Sequence, residues 1–215
     1  MKYDLGRSLL IALMIARAVP GPAEISRPEG AAVPTPRIRV LVYNMAKVPS
    51  PILVQAEKEA SRIFNDAGIY LMWEECPCSQ GLGPEDLMLR IIPQLFGSRR
   101  SKIGSNALGY APASEDGGFL ATVFFSRVEQ VTKGGPVAPV LGNAVAHELG
   151  HLLLGQDAHT PDGIMRAYWS RDFLKLAQLG LLNFTSEQAQ LMREHLSAQY
   201  RQKEILPARL IAFVK

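Results

Sequence analysis

The sequence predicts an α+β domain, and three observations support this fold class. The folded part opens with a strand, a helix and a second strand, which favours a sheet with parallel neighbours and a helix packed across it. An apolar helix is predicted over 137–155, and one short and one longer helix follow it, the longer one capped by Thr185 or Ser186. The chain has 215 residues, of which 47% are apolar, and this suits one domain with a sizeable core. A net charge of only +3 gives no reason to expect nucleic acid or an anionic membrane as a partner.

The N-terminus is typical of an export signal. A mildly basic lead precedes the apolar run SLLIALMIA, and the small residues Ala16 and Ala18 suit cleavage. We therefore predict a signal peptide over residues 1–18 and a mature protein that is secreted or periplasmic, monomeric and without stable membrane association. Residues 19–36 contain five prolines and are predicted to be an extended linker. The folded domain is expected over 37–206, with a C-terminal tail over 207–215.

Export can be checked by measuring intact mass. If the signal is cleaved as predicted, material exported by the native host starts near Val19 and lacks the mass of the preceding residues. Exported material that retains Met1 would contradict the prediction.

Strands and helices alternate through the first part of the domain. RIRVLVYNM reads as a buried strand that begins at Arg37. The next segment is helical, with Ser50 as N-cap, Pro51 at the first helical position and Gly68 as its end. Further strands are predicted in IYLMWEE, in DLMLRIIP and in GGFLATVFFSRVEQV, which spans 117–131. The last of these is either a sheet edge that can pair with an extended peptide or an interior strand, because TVFF is apolar on both faces.

The two cysteines, Cys76 and Cys78, are separated by a single proline. An exported protein favours a disulfide, but a ring this small is strained, so the sequence leaves free and bridged thiols open. Metal binding at this pair is disfavoured because no further ligands follow nearby.

The segment AHELGHLLLGQDAHTPDGIM carries three of the four histidines of the chain. His147 and His151 are four residues apart on the predicted helix, so both imidazoles lie on one face and can bind one metal ion. Glu148 is then placed to act as general base on a metal-bound water molecule. Gly150 costs the helix roughly 1 kcal/mol against alanine, which predicts that another segment approaches closely there. The fourth histidine, His195, is interpreted as a solvated or packed helix residue.

The motif HELGHLLLGQDAH, followed by GIM, resembles the metzincin clan of zinc metalloproteases, with matrixins and snapalysins as nearer relatives. The resemblance implies that zinc is the metal, that His147 and His151 are ligands and that Glu148 is the base. It also implies that Met165 lies in a tight turn beneath the zinc. The implied fold is a mixed sheet with a packed helix above the active-site helix, followed by the turn and C-terminal helices.

The third zinc ligand is the point at which the sequence departs from that family. The family glycine would fall at Leu154, whereas the glycine here is Gly155, so the turn after the helix is remodelled. Asp157 has the spacing of the family ligand, and His159 lies two positions later. We predict His159 as the third ligand, because imidazole suits zinc. Asp157 is then a hydrogen-bond acceptor for a ligand or a turn residue, and it is also the alternative ligand. A further competitor is Glu187, on the last helix, as in gluzincins.

These residues predict a secreted zinc metalloendopeptidase. Peptides or proteins are the expected substrates, and Glu148 assists the attack of zinc-bound water on the peptide bond. The alternative is an exported zinc-binding module that engages a partner protein without catalysis. The glutamate beside His147 favours the enzyme.

Overall fold

The computed structural model describes residues 35–76, 83, 86–94, 103–104, 106–112, 114, 117–155 and 157–212, with side chains as far as Tyr200. The predicted signal peptide, most of the predicted linker and Cys78 lie outside the described residues, as do the last three residues of the predicted tail. Among the helices that are described, none is both long enough and apolar enough to cross a membrane.

Five strands form one sheet within the described part of the chain. They are β1 (Arg37–Asn44), β2 (Tyr70–Glu75), β3 (Leu87–Ile92), β4 (Gly109–Tyr110) and β5 (Leu120–Phe124). Their order across the sheet is β2-β1-β3-β5-β4. The pairs β1–β2, β1–β3 and β3–β5 are parallel, whereas β4 pairs with β5 in the antiparallel direction. The predicted α+β fold with a mixed sheet is therefore confirmed.

The described helices are α1 (Ser50–Asp66), α2 (Phe125–Thr132), α3 (Val137–Leu154), α4 (Arg171–Gln178) and α5 (Ser186–Ala212). One apolar core includes alternate residues of β1 together with the inner faces of α1 and α3. The two helices cross closely at Gly142, where a Cβ atom would lie 2.5 Å from the carbonyl oxygen of Ala56. This crossing fixes α3, the helix that carries the histidine motif, against the core.

Two predicted helix and strand boundaries are wrong. The cap of α1 is Pro49 without a side-chain hydrogen bond, and Ser50 is already helical. The strand predicted over 117–131 stops at Phe124, and the rest of the segment forms α2. In α2 the buried residues are Phe125, Val128 and Thr132, a spacing of three and four that belongs to a helix rather than to a strand.

The position of β5 in the sheet answers the question that its sequence left open. This strand is bordered by β3 on one side and by β4 on the other, so it is an interior strand and the edge reading is wrong. Gly109 pairs with Val123 and Tyr110 with Thr122. The sheet edge at this side is therefore β4.

Hydrogen bonds define the start of α5 and join Tyr200, further along this helix, to strand β1. Gln188 N–H donates to Thr185 Oγ1 (3.2 Å), and Thr185 N–H donates to Gln188 Oε1 (3.0 Å). This reciprocal pair is a capping box, so Thr185 rather than Ser186 is the cap. Further along the helix, the Tyr200 hydroxyl donates to the carbonyl of Arg37, the first residue of β1, at 2.7 Å.

Cys76 follows β2 and is disulfide-bonded. Of the two thiol states that the sequence left open, the bridged one applies.

Candidate metal centre

The three histidines of the motif lie together at one point of the structure. His151 Nε2 is 3.2 Å from Nε2 of His147 and 3.1 Å from Nε2 of His159. Among the described residues, this is the one group of three or more metal-binding side chains whose ligand atoms lie close together, all within 4.8 Å of one another. Imidazole nitrogens are good zinc ligands, so the cluster can bind a zinc ion.

Desolvation keeps these imidazoles in the form that binds metal. His147 and His151 are buried, and desolvation is the main cause that lowers the pKa of His147 to about 3 and that of His151 to about 4. His159 is exposed, and partial desolvation lowers its pKa as well. All three rings are therefore neutral at pH 7, and a neutral imidazole offers a lone pair to a metal without first losing a proton.

A backbone carbonyl orients the ring of His147. Its Nδ1–H group donates to the carbonyl oxygen of Ile164 at 2.9 Å, so Nε2 faces the other two histidines. The N–H group of Ile164 in turn donates to the carbonyl of Asn183 at 2.8 Å. Such outer hydrogen bonds fix the tautomer and direction of a metal-binding histidine.

The segment that contains Ile164 and Met165 packs against α3 at Gly150. A Cβ atom on Gly150 would lie 2.7 Å from Met165 Sδ and 2.8 Å from a ring carbon of Phe184. Met165 is fully buried. The close approach predicted from the glycine inside the helix is therefore present. Met165 and Phe184 are the two side chains that approach Gly150.

Glu148 is buried beside the histidines, with 6% of its surface exposed. Burial raises the pKa of Glu148 to about 8, so the carboxyl group is protonated at neutral pH when no cation is nearby. A divalent cation on the adjacent imidazoles favours the charged carboxylate and lowers this pKa. A bound metal therefore brings Glu148 toward the ionised form that a general base needs.

Strand β4 packs directly against the side chain of Glu148. A Cβ atom on Gly109 would lie 2.5 Å from Cγ of Glu148 and 2.6 Å from Oε1. Real Cβ atoms do not approach other atoms this closely, so any side chain at this position displaces the carboxyl group. The absence of a side chain at Gly109 therefore leaves the space that the carboxyl group of Glu148 occupies.

The histidines and Glu148 open onto a cavity of about 660 Å³. Its walls include β4 on one side and the aromatic side chains of Tyr168 and Trp169 on another. The Trp169 ring contacts the ring of His147 edge-on, with centroids 5.8 Å apart. Among the described lining residues, Glu148 is the one carboxylate, and lysine and arginine do not occur.

Other residues that the sequence singled out lie apart from this cluster. Asp157 and Glu187 are exposed, and neither belongs to the group of close ligand atoms. Glu187 lies in the first turn of α5. His195 is hydrogen-bonded to Gln199, with 2.8 Å between the two nitrogens.

Sequence reasoning missed two parts of this centre. The edge strand β4 has only two residues and leaves no periodic pattern. Gln188, whose side chain contacts the segment around His159, was visible as the last residue of the capping-box motif TSEQ. That motif reports a helix start, however, and gives no sign of the second contact.

No protein-family model matches this sequence, and no curated protein matches it. Among solved structures, the crystal structure of archaemetzincin from Methanopyrus kandleri is similar, with 17% sequence identity and a TM-score of 0.49. The match covers 78% of this chain and 99% of that chain. Similarity at this level carries no argument about activity, so the function must be inferred from the side chains of the site.

Proposed function

We propose that this protein is a zinc metallopeptidase whose ligands are His147, His151 and His159 and whose general base is Glu148. The observation that carries the proposal is the placement of three neutral imidazoles and one buried carboxyl group at the wall of a single cavity. A purely structural zinc site is usually closed by four protein ligands, often thiolates. Three imidazoles beside a cavity leave a position for water instead.

The residues of the chain divide the chemistry between them. When bound, zinc supplies Lewis-acid activation of a water molecule and of the scissile carbonyl. The carboxylate of Glu148 accepts the proton of the attacking water and passes it to the departing amine. The hydrogen bond from His147 to Ile164 keeps that imidazole directed at the site throughout.

The walls of the cavity suggest how a peptide is bound. The edge strand β4 has one partner in the described sheet, so its other side can pair with the backbone of an extended peptide. Apart from the histidines and Glu148, the described residues that line the cavity are uncharged. This lining favours uncharged substrate side chains near the scissile bond. Cleavage within a chain rather than at its end is part of the proposal, as is export directed by residues 1–18.

The proposal is tested by the dependence of hydrolysis on metal. We expect the purified protein to contain about one zinc per chain and to cleave peptides in a mixed library. A chelator should abolish cleavage, and added zinc should restore it, because the proposed hydrolysis requires the bound ion. The measurements are elemental analysis and mass spectrometry of the peptide products.

The outcomes separate the two candidate functions. A protein that binds zinc but cleaves no peptide would favour the zinc-binding interaction module. Cleavage that survives complete removal of zinc would contradict the proposed chemistry.

A further inference from the structure

We propose that Gln188, at the start of α5, is a positioning residue that holds His159 at the metal centre. This inference rests on the proposed function, because it concerns the third zinc ligand. His147 and His151 are both on α3, so the helix itself fixes their spacing. His159 lies beyond the end of that helix, in a segment without helix or strand structure. Something outside α3 must therefore keep its imidazole near the other two.

The side chain of Gln188 bonds to both neighbours of His159. Its Nε2 group donates to the carbonyl oxygen of Ala158 at 3.3 Å and to Oγ1 of Thr160 at 3.0 Å. Gln188 is 5% exposed, so these bonds are shielded from water and breaking them leaves polar groups unpaired. A single amide group thus contacts the residue on each side of the proposed ligand, through the backbone carbonyl of Ala158 and the side-chain hydroxyl of Thr160.

Thr160 links the same segment to the turn that ends at Met165. Its N–H group donates to the carbonyl oxygen of Met165 at 3.1 Å, and its hydroxyl donates to the carbonyl oxygen of Asp162 at 2.7 Å. Gln188 therefore joins three parts of the centre: the start of α5, the segment that carries His159 and the segment that ends at Met165.

The two ends of the Gln188 amide have different roles, which makes the inference testable. Oε1 accepts the N–H group of Thr185 in the capping box, whereas Nε2 makes both contacts around His159. Gln188→Glu keeps the size and the capping acceptor, because glutamate also completes a capping box. It replaces the donor by an oxygen that repels the carbonyl of Ala158. Thr185→Ala does the opposite: it removes the capping hydroxyl and leaves the Gln188 amide in place.

The experiment compares zinc affinity and the visible spectrum of the cobalt-substituted protein among the full-length wild type, Gln188→Glu and Thr185→Ala. We expect Gln188→Glu to weaken zinc binding by about tenfold, the lower end of the range for residues that hydrogen-bond a metal ligand, because Gln188 bonds to the neighbours of His159 and not to its ring. Its cobalt spectrum should change, because the third imidazole is no longer held in one place. Thr185→Ala should lower the melting temperature and leave both metal readouts as in the wild type. Gln188→Met serves as a second variant if the glutamate prevents folding, and it should weaken zinc binding in the same way.

The possible failures are distinguishable. A wild-type protein that binds no zinc would overturn the proposed function and this inference with it. Wild-type zinc affinity and an unchanged cobalt spectrum in the folded Gln188 variants would overturn this inference alone. Equal loss of zinc affinity in Thr185→Ala would also overturn it, because the effect would then belong to the helix start as a whole.

Discussion

Glu148→Gln is expected to remove nearly all peptidase activity while leaving the zinc in place. The amide has the same size as the carboxyl group, so it fits the same space against Gly109, but it cannot accept the proton of the attacking water. General-base catalysis is worth about 100- to 10,000-fold, and kcat/KM should fall by that factor. Zinc content should remain about one per chain, because the carboxyl group is not a proposed ligand. Peptide kinetics and elemental analysis measure the two quantities.

Glu187→Gln provides a matched control for this variant. It makes the same chemical change at an exposed position in the first turn of α5, and both activity and zinc content should stay close to the wild type. Loss of zinc from Glu148→Gln would show that the role given to Glu148 is wrong. Loss of zinc from Glu187→Gln would favour the gluzincin-like arrangement instead.

His159→Ala is expected to produce the largest loss of zinc affinity outside α3. The change removes one of three proposed ligands. Loss of a residue that only hydrogen-bonds a ligand raises the dissociation constant for the metal by about 10- to 100-fold, and loss of the ligand itself should raise it further. Asp157→Ala should have a much smaller effect, since the Asp157 carboxylate is not part of the close group of ligand atoms. Competition with a chromophoric chelator measures both constants.

The ranking of these two variants decides which residue completes the site. A greater loss in Asp157→Ala would mean that the aspartate at the family spacing is the ligand and that His159 has another role. Melting temperatures of the metal-free proteins provide the control, because a loss of zinc affinity that only follows unfolding would appear there as well.

The elements that the sequence predicted well are those with a local signal. Strand β1 is an apolar, β-branched run, and α1 has apolar residues at helical spacing. Helix α3 is buried on nearly all sides, so its length and its end at Gly155 identify it rather than any apolar periodicity. The strand predicted over 117–131 failed because FFSRVEQV follows directly on a β-branched run, and only the spacing of its buried residues identifies α2. Strand β4 depends on its pairing with β5 and has no signal of its own.

The same distinction between local and long-range interactions applies to the residues of the candidate site. The spacing of His147 and His151 is set by one turn of helix, so their proximity follows from sequence alone. The segment that carries His159 is hydrogen-bonded to Gln188, a residue 29 positions beyond that histidine in the chain. The identification of β4 rather than β5 as the sheet edge likewise depends on strand pairing, which only the tertiary structure reveals.

The contact between Gly109 and Glu148 has a consequence for how selectivity and rate are related. The edge strand that we propose for pairing with a peptide backbone is also the surface against which the proposed proton acceptor rests. Recognition of the peptide and alignment of the carboxylate therefore share one short piece of main chain. A side chain introduced at Gly109 would therefore change the proposed peptide-binding edge and displace the carboxyl group at the same time.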